Sequence, residues 1–379
     1  MLLLFRRFLV SLVTILALSG PLASPVAGVA QQAPAELQAL HFRHIGPVGN
    51  RIAAVAGIAG DPLTYYVGAA TGGIWKTEDG GLFWEPIFDD QPDHAIGALA
   101  VAPSDPQIVW AGTGEPHIRS NVSVGTGVYK STDGGRTWQH MSMGSPTRTA
   151  AIVIHPNDPN IVYIAALGHA HGAQDERGIF RTMDGGDSWE HVLFVDRDTG
   201  ASSLIMDPNN PRILFAGTWQ VVVNTWGRES GGPGSGLFMS RDGGDTWTRL
   251  EGNGLPTLPV GKIDVCMTPA DSNRIYALIE TGDGPPWHGQ ETESGEVWRS
   301  DDGGQSWQVT SHDRNFGGRT AYYNNCVVSP DDPDEAYFLT AAFVKSIDGA
   351  LTGVSMDGRQ RPGGDNHDMW VDPTDGNRM

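Results

Sequence analysis

The sequence predicts an all-β fold, a β-propeller of four-stranded blades, and three observations carry that prediction. A short motif ending in tryptophan recurs along most of the chain. Each copy follows two apolar runs joined by a Pro/Asp-rich turn. Glycine (50) and tryptophan (12) are abundant while charged residues make up only 18%. That composition suits tight turns and packed sheets and does not suit a disordered chain.

The motif reads KTEDGGLFW (Lys76–Trp84), KSTDGGRTW (Lys130–Trp138), RTMDGGDSW (Arg181–Trp189), SRDGGDTW (Ser240–Trp247) and RSDDGGQSW (Arg299–Trp307). Successive tryptophans lie 51 to 60 residues apart. A sixth copy, KSIDGALTG (Lys345–Gly353), keeps Ser346, Asp348, Gly349 and Thr352 and carries Gly353 where the others have tryptophan. A repeat of this period signals a radial or solenoid array.

Within one unit the elements follow in order. Runs such as IGALAVAPSDPQIVWAGT (Ile96–Thr113) and TAAIVIHPNDPNIVYIAAL (Thr149–Leu167) are two β-rich strands around a turn that Pro, Asn and Asp favour. A short third strand follows, as in GVYKS (Gly127–Ser131). The Asp-Gly-Gly turn comes next, its aspartate accepting backbone N–H groups and its glycines free to take positive φ. The tryptophan then anchors the fourth strand by burying its ring between neighbouring units. Four strands per unit make a propeller blade, and blades stacked about an axis leave only short edges.

The units are expected near 41–90, 91–143, 144–195, 196–252, 253–312, 313–360 and 361–379, making seven blades with the last truncated. Residues 31–379 form the propeller. Asp79, Trp84, Asp133, Trp138, Asp184, Trp189, Asp242, Trp247, Asp302 and Trp307 are expected to be structural, so these aspartates are poor candidates for catalysis.

Residues 1–30 read as an export signal. Arg6 and Arg7 precede an apolar run, Phe8–Leu18, and Gly28 and Ala30 form a cleavage pair. The run is short for a membrane span, so no membrane insertion is expected beyond it, and the protein is expected to be periplasmic or secreted. Cys266 lies three residues before Pro269 and Cys326 four before Pro330. That offset puts them on opposite strand faces, and the expectation is two buried free thiols.

The net charge is −19, which excludes nucleic acid as a partner because phosphate binding needs clustered Lys and Arg. Protein, peptide and carbohydrate ligands remain. No metal site is expected. Neither His169/His171 nor the Asp365, His367, Asp368 cluster matches a zinc ligand set. No cofactor is expected, although the acidic loops leave room for calcium.

Propeller topology sends the second-to-third loops and the inter-blade links to one face, where the long insertions fall. That face is expected to carry the ligand-binding residues Glu115, His117, Arg119, His169, His171, Glu176, Trp219, Trp226, Arg228, Trp287 and His288. Aromatics beside carboxylates and histidines suit sugar stacking or peptide capture. The competing expectation is that these loops pack on one another and seal the axial channel.

Repeated S-x-D-x-G-x-T-W boxes resemble the bacterial neuraminidase repeat (BNR, or Asp-box) superfamily. It includes sialidases, xyloglucan-cleaving endoglucanases, a photosystem II assembly factor and sortilin-type receptor propellers. GVYKSTDGGRTW, HPNDPNIVYIAALGH, ERGIFRTMDGGDSW, GGPGSGLF and GGDNHDMWVDP look like large bacterial exported proteins with a sortilin-like N-terminal propeller. The similarity runs from His41 onward. The resemblance implies an extracytoplasmic binding protein, with a BNR-type glycoside hydrolase acting on a polysaccharide as the alternative. Against the alternative, the xyloglucan-cleaving family's base, an aspartate before Gly-Gly, falls on Ala70 in YYVGAATGGIWK (Tyr65–Lys76). The sialidase Arg-Ile-Pro has only His44-Ile45-Gly46-Pro47 to match it. A different pair, Glu115 with Glu176 or Asp90, would have to serve.

Overall fold

A computed structural model describes residues 51–119, 122–144, 148–169, 171–257, 259–281, 297–356 and 365–379. The export signal read from residues 1–30 lies outside the described residues. Among the described residues no helix is long and apolar enough to cross a membrane.

Among the described residues six antiparallel sheets follow one another along the chain, each with its four main strands in sequence order. The first strands are Ile52–Gly57, Ile96–Ala102, Thr149–Ile154, Thr199–Met206, Ile263–Thr268 and Asn325–Val328. All six line one axial cavity of about 240 Å³. They are therefore the inner strands, and the fold is a β-propeller. Apolar clusters fill the space between neighbouring sheets. One joins Trp110, Met141, Ile152 and Ile164 of the second and third sheets, and another joins Phe215, Ile263, Trp298 and Trp307 of the fourth and fifth.

The Asp-Gly-Gly turn works as a hydrogen-bonded knot. In the second sheet Asp133 Oδ1 accepts Thr137 N (2.9 Å) and Asp133 Oδ2 accepts Thr137 Oγ1 (2.7 Å). Ser131 Oγ donates to Asp133 Oδ1 and accepts Gly135 N, both at 2.8 Å. Gly134 and Gly135 sit at φ +71° and +91°, a region that a side chain would strain. The turn donors hold Asp133 down at about 2. Four of the tryptophans pack back on the preceding sheet. Trp138 Nε1 donates to Ile87 O at 2.8 Å, and Trp189 meets Trp110 edge-on at 5.9 Å. Trp247 and Trp307 join the clusters holding Tyr163 and Phe215. Trp84 of the first sheet, among the described residues, donates Nε1 to Gly81 O of its own turn.

The decayed sixth box has a packing reason. Phe316, on a short 3-10 turn (Arg314–Phe316), is fully buried in the cluster between the fifth and sixth sheets. A Cβ on Gly353 would come within 2.5 Å of Phe316 Cζ. The phenyl ring therefore fills the slot that tryptophan fills elsewhere.

Residues 365–379 hold no strand, only an isolated bridge between Asp372 and Asp375. They tie the sixth sheet to the first. Asn325 Nδ2 donates to His367 O (2.6 Å), Val55 N to Asp368 Oδ2 (2.8 Å) and Gly60 N to Asp372 Oδ2 (2.9 Å). Trp370 packs edge-on to Tyr65 at 5.9 Å.

The cysteines correct the expectation of free thiols. Cys266 and Cys326 are disulfide-bonded, with Cα atoms 5.8 Å apart. They lie on the inner strands of adjacent sheets. Stacked sheets meet front to back, so residues on opposite strand faces are the ones that point at each other. The offset that pointed to free thiols is what a bond between two stacked sheets requires.

Candidate functional site

The long-loop face converges over the axis. Ile118 from the second sheet's loop, Leu167, Trp219, Val221 and Ala321 form a buried cluster. Ile118 N donates to Ala321 O at 3.1 Å, joining loops that are far apart in sequence. The loops therefore plug the channel, and three residues expected to be open to ligand lie inside. Trp219 and Glu115 are 0% exposed and His117 4%. Glu115 accepts Arg51 Nη2 (2.6 Å) and Arg119 Nε (3.0 Å) through the same oxygen. It is a buried junction for two guanidiniums, because a carboxylate at that depth needs cationic partners.

Beneath this junction is a ring cluster that sequence reasoning missed. His117 and His367 lie 4.3 Å apart, and His367 also meets Tyr322 (4.6 Å) and Tyr323 (5.3 Å, stacked). His117 Nδ1 and both His367 nitrogens have no hydrogen-bond partner among the described residues. Burial, then the neighbouring imidazole and Lys262, push His117 well below its ordinary value. Burial, then Arg51 and Lys262, bring His367 down to about 4. Both rings are therefore neutral near pH 7. Lys262 is buried, donates Nζ to Tyr323 O (2.6 Å) and is lowered to about 8 by burial. Tyr323 donates to Asp365 and is raised to about 12 by burial and then by that carboxylate. Asp368 borders the axial cavity, with surface exposed there yet protein on every side. Desolvation raises its carboxyl to about 6, with the charge of Asp264 adding to the shift.

The remaining candidates spread over the rim. Arg119 is partly exposed beside Glu115. His169 is half-buried, and its carbonyl accepts Arg177 Nη2 at 2.8 Å. Burial and then Arg148 lower the His169 ring. His171 is exposed, with Nδ1 3.0 Å from Val223 O. Glu176 is half-buried, and Asp90 and Arg228 are exposed. Trp226 is 87% exposed. It sits at the tip of a hairpin in which the long second strand Leu214–Asn224 pairs with an added strand, Gly227–Ser230. Trp287 and His288 lie outside the described residues. Among the described residues no three His, Cys, Asp or Glu side chains come together as a metal site.

Arg51, Tyr322, Tyr323 and Lys262 gave no sequence signal because each sits next to an ordinary strand or link. His117, among the residues expected on the binding face, and the GGDNHD run around Asp365, His367 and Asp368 marked part of the cluster.

These features define an Asp-box β-propeller with a plugged axis. Residues 126–256 match the family model described as Sortilin, neurotensin receptor 3, which bears out the sortilin-like resemblance. A xyloglucanase from Paenibacillus sp is 25% identical over 328 residues, 76% of this chain and 29% of that enzyme. The photosystem II assembly lipoprotein Ycf48 of Synechococcus sp. is 25% identical over 172 residues, 44% of this chain and 46% of that protein. The crystal structure of a GH74 xyloglucanase from Xanthomonas campestris superposes with a TM-score of 0.54 at 17% identity, covering 79% of this chain and 45% of that one. The chain thus spans less than a third of the length of the Paenibacillus enzyme.

Proposed function

We propose that this chain is a glycoside-hydrolase-like propeller that takes a polysaccharide of the xyloglucan type across its long-loop face, with Trp226 as a stacking platform. The observation that carries the reading is Trp226, an indole left 87% exposed at a hairpin tip. Holding so much apolar surface in water is unfavourable, and a flat aromatic face is suited to a pyranose ring. Similarity to a xyloglucanase over 76% of the chain supports the same ligand class. The contribution assigned to these residues is binding. Glu115 is buried and held by two arginines, and Ala70 stands where the resemblance expects a base.

Hydrolysis by this chain is the second reading, favoured by the same xyloglucanase similarity. It needs two carboxylates across the glycosidic bond, drawn from groups such as Glu176 and Asp90 that keep contact with solvent. We also take the protein to be exported. The apolar run after Arg6 and Arg7 supports this, as does the Cys266–Cys326 bond, since disulfides persist in oxidising compartments.

Affinity electrophoresis in xyloglucan and release of reducing ends test both readings. The wild-type chain is expected to be retarded. Trp226→Ala is expected to bind about tenfold more weakly at an unchanged melting temperature, from the loss of one aromatic contact. Wild-type migration unaffected by xyloglucan, or a Trp226→Ala variant that binds as tightly, overturns the binding reading. Steady release of reducing ends replaces it with the hydrolytic one.

A further inference from the structure

In a chain of net charge −19, a cation without a carboxylate needs a reason. Arg181 is held by Glu190 and Asp245, Arg274 by Asp301 and Asp334, and Arg378 by Asp372. Arg319, on the link between the fifth and sixth sheets, is exposed, and among the described residues no carboxylate pairs with it. Its guanidinium instead lies over two rings, 5.2 Å from the centre of Tyr322 and 5.8 Å from that of Tyr323.

This arrangement is built. Arg319 adopts φ +55°, a left-handed conformation uncommon outside glycine and a frequent mark of functional sites. Its carbonyl accepts Tyr322 N (2.9 Å) and Tyr323 N (3.1 Å), which turns the chain so that the side chain covers the rings that follow it. The rings are fixed from below. Arg51 Nη1 donates to Tyr322 Oη at 3.3 Å, Asp365 holds Tyr323, and the two tyrosines meet edge-on at 4.7 Å. A guanidinium held over aromatic rings, with no carboxylate, leaves N–H donors for a ligand, and its planar fork matches a carboxylate. The link belongs to the long-loop face, since Ala321 joins the axial plug.

The surrounding charge restricts the ligand. A densely charged polyanion is repelled by the acidic surface as a whole, whereas one isolated carboxylate on a neutral ligand escapes most of that repulsion. We propose that Arg319, seated on Tyr322 and Tyr323, is a subsite for a single carboxylate on an otherwise neutral glycan, a uronate side group. This rests on the polysaccharide reading above and deepens it.

The test compares a xyloglucan oligosaccharide with the same oligosaccharide after its galactosyl groups are oxidised to galacturonosyl groups. Calorimetry on the 379-residue chain reads both affinities. The acidic form is expected to bind about five- to tenfold tighter at low salt, with the preference shrinking as salt rises. Arg319→Gln is expected to abolish the preference and leave the neutral affinity unchanged. Arg319→Lys is expected to keep part of it. Equal affinities in the wild type, or a preference that survives Arg319→Gln, overturn this proposal alone. Failure of both oligosaccharides to bind removes the polysaccharide reading and this subsite with it. A peptide that binds through Arg319 by its free C-terminal carboxylate, and not as its amide, while neither oligosaccharide binds, replaces the glycan with a peptide.

Discussion

His367 should make the fold sensitive to acid. The perturbation is His367→Gln, compared with wild type near neutral pH and in mild acid. Its ring is 2% exposed with both nitrogens unpartnered, and burial takes it from 6.5 to about 4. Between those values the unfolded chain binds the proton and the folded chain does not. The stability is therefore fully present above the unfolded value and is lost as pH falls toward the folded one. The full shift amounts to about 3 kcal/mol, of which about 2 kcal/mol is lost by pH ~5. His117 acts in the same sense, because burial lowers it too. Asp368 acts in the opposite sense, because its carboxyl is raised and acid stabilises its protonated folded form. The wild-type slope alone would mix these with other shifted groups such as His169, His191 and Asp264, so the comparison is a difference of differences. Urea unfolding of both proteins at about pH 7.5 and about pH 5 is expected to shift the wild-type-minus-variant stability by about 2 kcal/mol against the wild type in acid. A difference that stays constant with pH would refute the reasoning.

Two further predictions concern packing and the cross-link. Phe316→Ala should cost about 3–5 kcal/mol by opening a cavity between the fifth and sixth sheets, and adding Gly353→Trp should recover part of it. A Phe316→Ala variant that melts with the wild type would show that the slot is not filled this way. Removing the Cys266–Cys326 bond, which closes a span of 60 residues, should cost roughly 4 kcal/mol in the chain-entropy account. Reductant and the Cys266→Ser, Cys326→Ser double variant should lower the melting temperature equally. No change on reduction would argue against the bond.

The repeat was legible because its physics is local. Ser131, Asp133, Gly135 and Thr137 lie within seven consecutive residues and bond to one another, so their spacing alone announces the turn. Four of the boxes could likewise be read to their tryptophan contacts. The site was less legible. Glu115 and Trp219 have the residue types of a binding face, yet in the plugged axis one is a buried charge junction and the other a core residue. Trp226, in the same inserted segment as Trp219, ended in solvent. Nothing in the sequence separates the two indoles, because only the length of the added hairpin carries one of them clear of the plug.

The sequence by itself determined the strands, the turns and their radial repetition, since each rests on contacts between residues a few positions apart. Tertiary structure decided what happens where units meet. It paired Cys266 with Cys326 across sheets, put Phe316 in the place of a missing indole, and gathered His117, Tyr322, Tyr323 and His367 around the axis. Such contacts join residues from about 40 to 250 positions apart, and only closing a ring about an axis brings chain segments that distant into van der Waals range.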